Sequence, residues 1–404
     1  MTTISQGFEQ DCQLALDDLR ARLIELYASV DADPLKPQDA SRRFGVNKTL
    51  TWNIAKVIEG RDPIPTLQNV PGNSALGQLL RAMEKAGANH SAVERVRSAA
   101  QDLARAAELH FGDRATLDLI VDGARPDSID HLDRSRKLAF RGNSGLWGVQ
   151  ARVRLMTAFI APNAEDPNRL DMAIVRGFIG LRRLRSEVRW PIFHLRGWGG
   201  EEQRMQATQW EPLEKASDDK IKTPLLRRFG TVDPDDIEEI QTQEGLNYFL
   251  APGSIGNTAA VDCFVGDCAR SAAAMHATEQ DSTGEFGATI SAPTERLIFD
   301  IVAHEEAAFA LQPEVRSFGG IFMGSIEDSD PNNLIPIPIP QSPSPLPGSP
   351  PVLANPHIPN YAALADFVHA QMGWDASRFR GCRLEVMHPP MGSSILLRFQ
   401  LPEA

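Results

Sequence analysis

The spacing of apolar residues changes near Pro126, and no other feature of this 404-residue chain restricts its fold as strongly. Before that point the apolar residues recur every three or four positions. Leu16, Leu19, Leu23, Leu26 and Tyr27 predict an amphipathic helix from Glu9 to Ala28 that stops ahead of Asp33-Pro34. Leu76, Leu79, Leu80 and Met83 predict another from Ser74 to Ala86, with Gly87 as its stop. Ser91-Ala92-Val93-Glu94 has the form of a capping box opening a helix towards Leu109, and a further helix is expected from Asp113 to Asp122. After Pro126 a last helical pattern, Ile129 to Phe140, runs into RGNSGLWG, expected to be a sharp loop. Beyond it lie short β-branched and aromatic runs: VQARVRLMTAFIA, MAIVRGFIGLRRL, VRWPIFHL, NYFLAP, AAVDCFVG, RLIFDIVA and GGIFMGS. The expectation is an α+β chain. Residues 1–125 form a helical region, and 126–404 form a β-rich mixed domain whose strands share one mixed or antiparallel sheet.

Two later stretches refine this division. Between Pro336 and Pro351 eight of sixteen residues are proline, so 335–356 is expected to be an extended loop or linker. The tail predicts a helix from Tyr361 to Met372, then a hairpin of CRLEVM and SILLRFQL. In the second strand Leu397, Phe399 and Leu401 alternate with Arg398 and Gln400, which buries one face and wets the other.

A net charge of −12 argues against a surface that coats nucleic acid or anionic lipid as a whole. No run reaches the roughly 20 apolar residues of a membrane span, and MTTISQGFEQD lacks the order of a secretory signal, so a cytoplasmic protein is expected. Four scattered cysteines predict reduced thiols. Cys263 and Cys268 make a poor zinc signature, and no metal or cofactor is expected.

Against this acidic background, residues 34–61 carry Lys36, Arg42, Arg43, Lys48, Lys56 and Arg61 against Asp39 and Glu59, a local charge of +4. The stretch DASRRFGVNKTLTWNIAKVIEG, Asp39 to Gly60, reads as two short helices. Ala40, Ser41 and Phe44 share a face of the first, Gly45 turns the chain, Val46 fills the corner and Asn47 caps the second. Leu50, Ile54, Val57 and Ile58 form the apolar stripe of that second helix, leaving Lys48, Thr49, Trp52 and Lys56 on its other side.

The pattern of small Ser41, apolar Phe44, Gly45, apolar Val46 and apolar Ile54 resembles the helix-turn-helix of bacterial transcription regulators. It covers about 36–60, with Thr51 where a branched aliphatic is commoner. The resemblance implies a DNA-binding homodimer in which Lys48, Thr49, Trp52 and Lys56 enter the groove while Lys36, Arg42 and Arg43 meet phosphates. The remainder would sense a small-molecule effector, dimerise, or both. Two alternatives stand beside it. One is a protein-interaction scaffold anchored on Trp52. The other is an enzyme using polar residues near strand ends, His194, Asp262, Cys263, Asp300 and His304. A second basic run, Arg182, Arg183, Arg185 and Arg189, is expected to pair with the protein's own acceptors rather than with a ligand.

Overall fold

A computed structural model describes residues 4–113, 116, 119, 129–196, 210–214, 224–242, 245–279, 282–320 and 335–403. The chain forms two compact units, residues 1–128 and 129–404.

The first unit is helical: α1 (Ile4–Ala28), α2 (Pro37–Phe44), α3 (Lys48–Glu59), α4 (Pro63–Leu67), α5 (Asn73–Lys85) and α6 (His90–Phe111). Its core centres on the α1 stripe, where Leu16, Leu19, Leu23, Leu26 and Tyr27 are fully buried against Leu79, Met83 and Val96. The start of α6 differs from the capping box expected at Ser91. Asn89 is the cap, and its Oδ1 accepts from the Ser91 N–H at 2.9 Å, because an Asx side chain reaches the second amide of the helix directly. The helix expected from Asp113 to Asp122 lies mostly outside the described residues.

The second unit opens with α7 (Ile129–Trp147), so RGNSGLW is the end of a helix and not the loop expected from its glycines. Buried Ser144 donates to the Phe140 carbonyl, and Trp147 meets Trp190 edge-on at 5.9 Å; packing at the far end holds the helix together through Gly142 and Gly145. Fourteen described strands follow: β1 (Val149–Pro162), β2 (Arg169–Arg183), β3 (Trp190–Arg196), β4 (Glu211–Pro212), β5 (Ile237–Thr242), β6 (Gly245–Leu250), β7 (Val261–Ala274), β8 (Thr283–Thr289), β9 (Thr294–His304), β10 (Glu314–Gly319), β11 (Ile335–Pro336), β12 (Ser344–Leu346), β13 (Phe379–Met387) and β14 (Ser393–Gln400). The α+β class is as expected, but three sheets replace the single one.

The largest sheet has the order β12-β13-β9-β1-β2-β7-β4, antiparallel except between β1 and β9. Alternation along β1 sends Met156, Ala158 and Ile160 towards the four-stranded sheet β11-β10-β14-β8, where they meet Phe286, Leu397 and Phe399. Leu155, Phe159 and Ala161 face α8 (Tyr361–Met372) instead. The third sheet, β3-β6-β5, packs Trp190 and Tyr248 on the β2–β7 end of the large one. The expected hairpin of β13 and β14 does not form. β13 pairs with β9 and β14 with β10 and β8, because the link His388–Gly392 holds two prolines and turns through positive φ at both of its ends. Within the proline-rich stretch Ser344–Leu346 is an edge strand on β13, the one place in a sheet that tolerates missing N–H donors. GGIFMGS lies almost wholly outside the described residues.

Candidate nucleic-acid interface

Local chemistry fixes α2 and α3 as a helix pair around a three-residue turn. Gly45 takes φ +65°, and a Cβ there would touch nothing, so the glycine is needed for its left-handed backbone alone. Ser41 Oγ donates to the Val46 carbonyl at 2.7 Å, tying the first helix to the turn. Asn47 Oδ1 accepts from the Thr49 N–H at 2.8 Å and starts α3. At the other end of α3, Arg20 of α1 donates through Nε to the Val57 carbonyl at 2.8 Å and through Nη2 to that of Gly60. Both ends of α3 are therefore fixed.

The faces of α3 divide as the spacing predicts. Leu50, Thr51, Ile54, Ala55 and Val57 are buried, and Ile58 is half-buried. Thr51 is tolerated because its hydroxyl donates back to the Lys48 carbonyl at 2.9 Å. Lys48, Thr49, Trp52 and Lys56 are exposed, Trp52 at 47%. On α2, Arg42 is exposed; Lys36, just ahead of it, is also exposed and lies 3.9 Å from Asp33.

Arg43, expected to meet phosphate, is exposed and is also held by its own chain. Its guanidinium donates to the carbonyls of Val30 and Asp31 and lies 5.5 Å from the Phe44 ring centroid. The chain leaving α1 presents carbonyls without helical partners, and Arg43 satisfies them. Two cations absent from the sequence reading stand nearby. Arg81 and Lys85, one turn apart on α5, line a groove of about 620 Å³ together with Gly45 and Asn47. Their i, i+4 spacing opposite the α5 apolar stripe was visible in the sequence; that this side meets the turn is a product of tertiary packing. Among the described residues Arg42, Lys48, Lys56, Arg81 and Lys85 have no carboxylate within 4.0 Å, whereas on α1 and α6 Arg20, Arg22, Arg95, Arg97 and Arg105 all do.

Among the described residues, the enzyme candidates Asp262, Cys263, Asp300 and His304 are not brought together by any hydrogen bond or ion pair. Asp300 is fully buried between Arg383, which donates to it twice at 2.7 and 2.8 Å, and the Tyr361 hydroxyl at 2.7 Å. Tyr361 in turn meets Thr157 at 2.7 Å, extending a network that is buried at Asp300, Tyr361 and Thr157. His304 caps a short 3-10 turn, its Nδ1 accepting from the Glu306 N–H at 3.3 Å, and burial holds its pKa below the usual value. Asp262 accepts from the Gly180 N–H. Burial pushes the Cys263 thiol up to about 12, which leaves it a poor nucleophile. The His194 side chain lies outside the described residues. The second basic run goes to the protein's own acceptors: Arg182 to Glu295, Arg183 to the carbonyls of Val188 and Ala251, Arg185 to Glu187 and the Leu146 carbonyl, and Arg189 to Glu238. Among the described residues no helix is long and apolar enough to cross a membrane.

No family model matches the chain, and no curated protein does. Among solved structures it overlaps partially with a chain from Parabacteroides distasonis crystallised as a candidate protease, at 5% identity and TM-score 0.25, covering 63% of this chain and 41% of that one. It also overlaps with an M1 zinc metallopeptidase from Deinococcus radiodurans at 10% identity and TM-score 0.18, covering 50% and 44%. The chain thus spans about two fifths of the length of the solved chains it matches, and overlaps this slight assign neither a family nor an activity.

Proposed function

We propose that the N-terminal unit binds duplex DNA, with α3 in the major groove and the rest of the chain serving regulation. The observation that carries this reading is the exposed α3 face of Lys48, Thr49, Trp52 and Lys56, on a helix fixed at both ends and flanked by cations without carboxylate partners. Lys48 and Thr49, near the helix start, reach base edges; Arg42, Lys36 and the groove pair Arg81 and Lys85 meet phosphates, and neutralising phosphate releases condensed counterions. Two half-sites about one helical turn apart require two copies, so the reading includes a homodimer.

A gel-shift of the full chain against fragmented genomic DNA at two salt concentrations tests it. With the four named cations of each copy on phosphate, about eight contacts in the dimer, a fourfold rise in salt lowers affinity on the order of 10⁴-fold. Arg81→Ala and Arg42→Ala, each removing one contact from both copies, each reduce the salt slope by about two. Binding that ignores salt, or survives Lys48→Ala with Lys56→Ala unchanged, overturns the reading. If instead DNA binding is absent and Trp52→Ala abolishes association with another protein, the exposed tryptophan is a docking anchor.

A further inference from the structure

Where the three sheets of the second unit meet, they leave a cavity of about 330 Å³. Arg154 of β1, Arg176 and Phe178 of β2, Phe193 of β3, Cys263 of β7 and Thr289 of β8 all line it. Its volume lies within the range of small-molecule sites. None of these groups takes part in the DNA reading.

The charge balance is what distinguishes the cavity. Arg176 is paired with Asp267. Arg154 has no carboxylate within 4.0 Å among the described residues; it donates through Nη1 to the Gly177 carbonyl at 3.2 Å, lies 4.7 Å from the Phe178 ring centroid, and its buried Nε has no partner. Burial and the repulsion of Arg176 lower its pKa to about 10, which still leaves it charged at neutral pH. The thiol of Cys263, held protonated by burial, does not neutralise it. A half-buried guanidinium beside a second one, with its Nε sealed off and one neutral acceptor, carries an uncompensated charge that an anion in the cavity would balance.

We propose that this cavity binds a small organic monocarboxylate, its carboxylate on Arg154 and its apolar or aromatic body against Phe178 and Phe193. One surplus positive charge matches one carboxylate. A phosphate dianion would bring a second negative charge into partly apolar walls with nothing to offset it. The planar fork of Arg154 suits two-point contact with a carboxylate, and the hydroxyl of Thr289 on the opposite sheet can orient the ligand.

Isothermal titration of the full chain with benzoate, benzamide and inorganic phosphate tests the assignment. Benzoate binds at one site per chain; benzamide, which keeps the shape and loses the charge, binds about tenfold to a hundredfold more weakly, the worth of a charge-assisted hydrogen bond. Phosphate gives no saturable heat. Arg154→Met, which keeps the packing on Phe178, abolishes benzoate binding, and Thr289→Phe does so by filling the cavity. Equal binding of benzoate and benzamide overturns the proposal, as does undiminished binding in Arg154→Met or absence of benzoate binding at millimolar concentration. Phosphate binding with benzoate excluded makes it an oxyanion site of another kind and equally overturns the carboxylate assignment. The gel-shift result bears on none of these outcomes.

Discussion

The β-rich unit puts its arginines and lysines mostly to one use, and the helical unit divides them between two. In the β-rich unit the basic side chains are mostly committed to protein acceptors: Arg383 to Asp300, Arg378 to Glu305 and Glu306, Arg270 to Asp171, Arg189 to Glu238. In the helical unit the pairing stops abruptly. The arginines of α1 and α6 have carboxylates, while those around α2, α3 and the end of α5 do not. Composition alone shows no such boundary. The same residue type is structural where a partner has been supplied and open to an outside ligand where it has not, so the absence of partners is the more informative observation.

Removing a partner should hurt most where pairing is deepest. Asp300→Asn leaves Arg383 almost buried without its counter-charge and is expected to cost about 3–5 kcal/mol, read from urea denaturation of the full chain. The double variant Asp300→Leu with Arg383→Met should recover much of that loss. A cost of Asp300→Asn no larger than a surface change would mean that the contrast between the units is superficial.

Arg43 sits between the two uses. Arg43→Ala removes donors from the carbonyls of Val30 and Asp31, and a loss of about 1 kcal/mol in the helical unit is expected from the same denaturation measurement. Arg42→Ala, one residue earlier, should change stability by less than about 0.5 kcal/mol while weakening DNA retention at low salt. If Arg42→Ala destabilises as much as Arg43→Ala, these neighbours do not differ in role and the division is wrong.

How much of this was legible in the sequence depends on the range of the interaction concerned. The faces of α3 were readable because a 3.6-residue period assigns every side chain once the helix starts, and Asn47 and Gly45 mark its start and the turn. The job of Arg43 was not readable, since Val30 and Asp31 lie more than a helical turn away in sequence and become neighbours only when α1 and α2 pack. Period-2 alternation likewise identifies a half-buried strand such as β14 but not its partner, so it cannot tell three sheets from one, or a β13–β14 hairpin from strands paired elsewhere. Arg154 was hidden for the same reason: VQARVRL shows an alternating strand, and only the meeting of three sheets turns one of its arginines into a cavity wall.

The parallel pairing of β1 with β9, Ala151 opposite Thr294, bears on the order in which the chain acquires structure during synthesis. The helical unit closes by packing α6 on α1 and is complete in sequence before β1 has been made. The centre of the large sheet must wait for β9, and the strand that covers β9 on its other side, β13, comes later still. Contacts of such long range make for slow folding, and β1 and β2 meanwhile expose unpaired edges as they leave the ribosome. The helical unit should therefore reach its native form first, with the apolar runs of β1 and β2 the segments most in need of a chaperone.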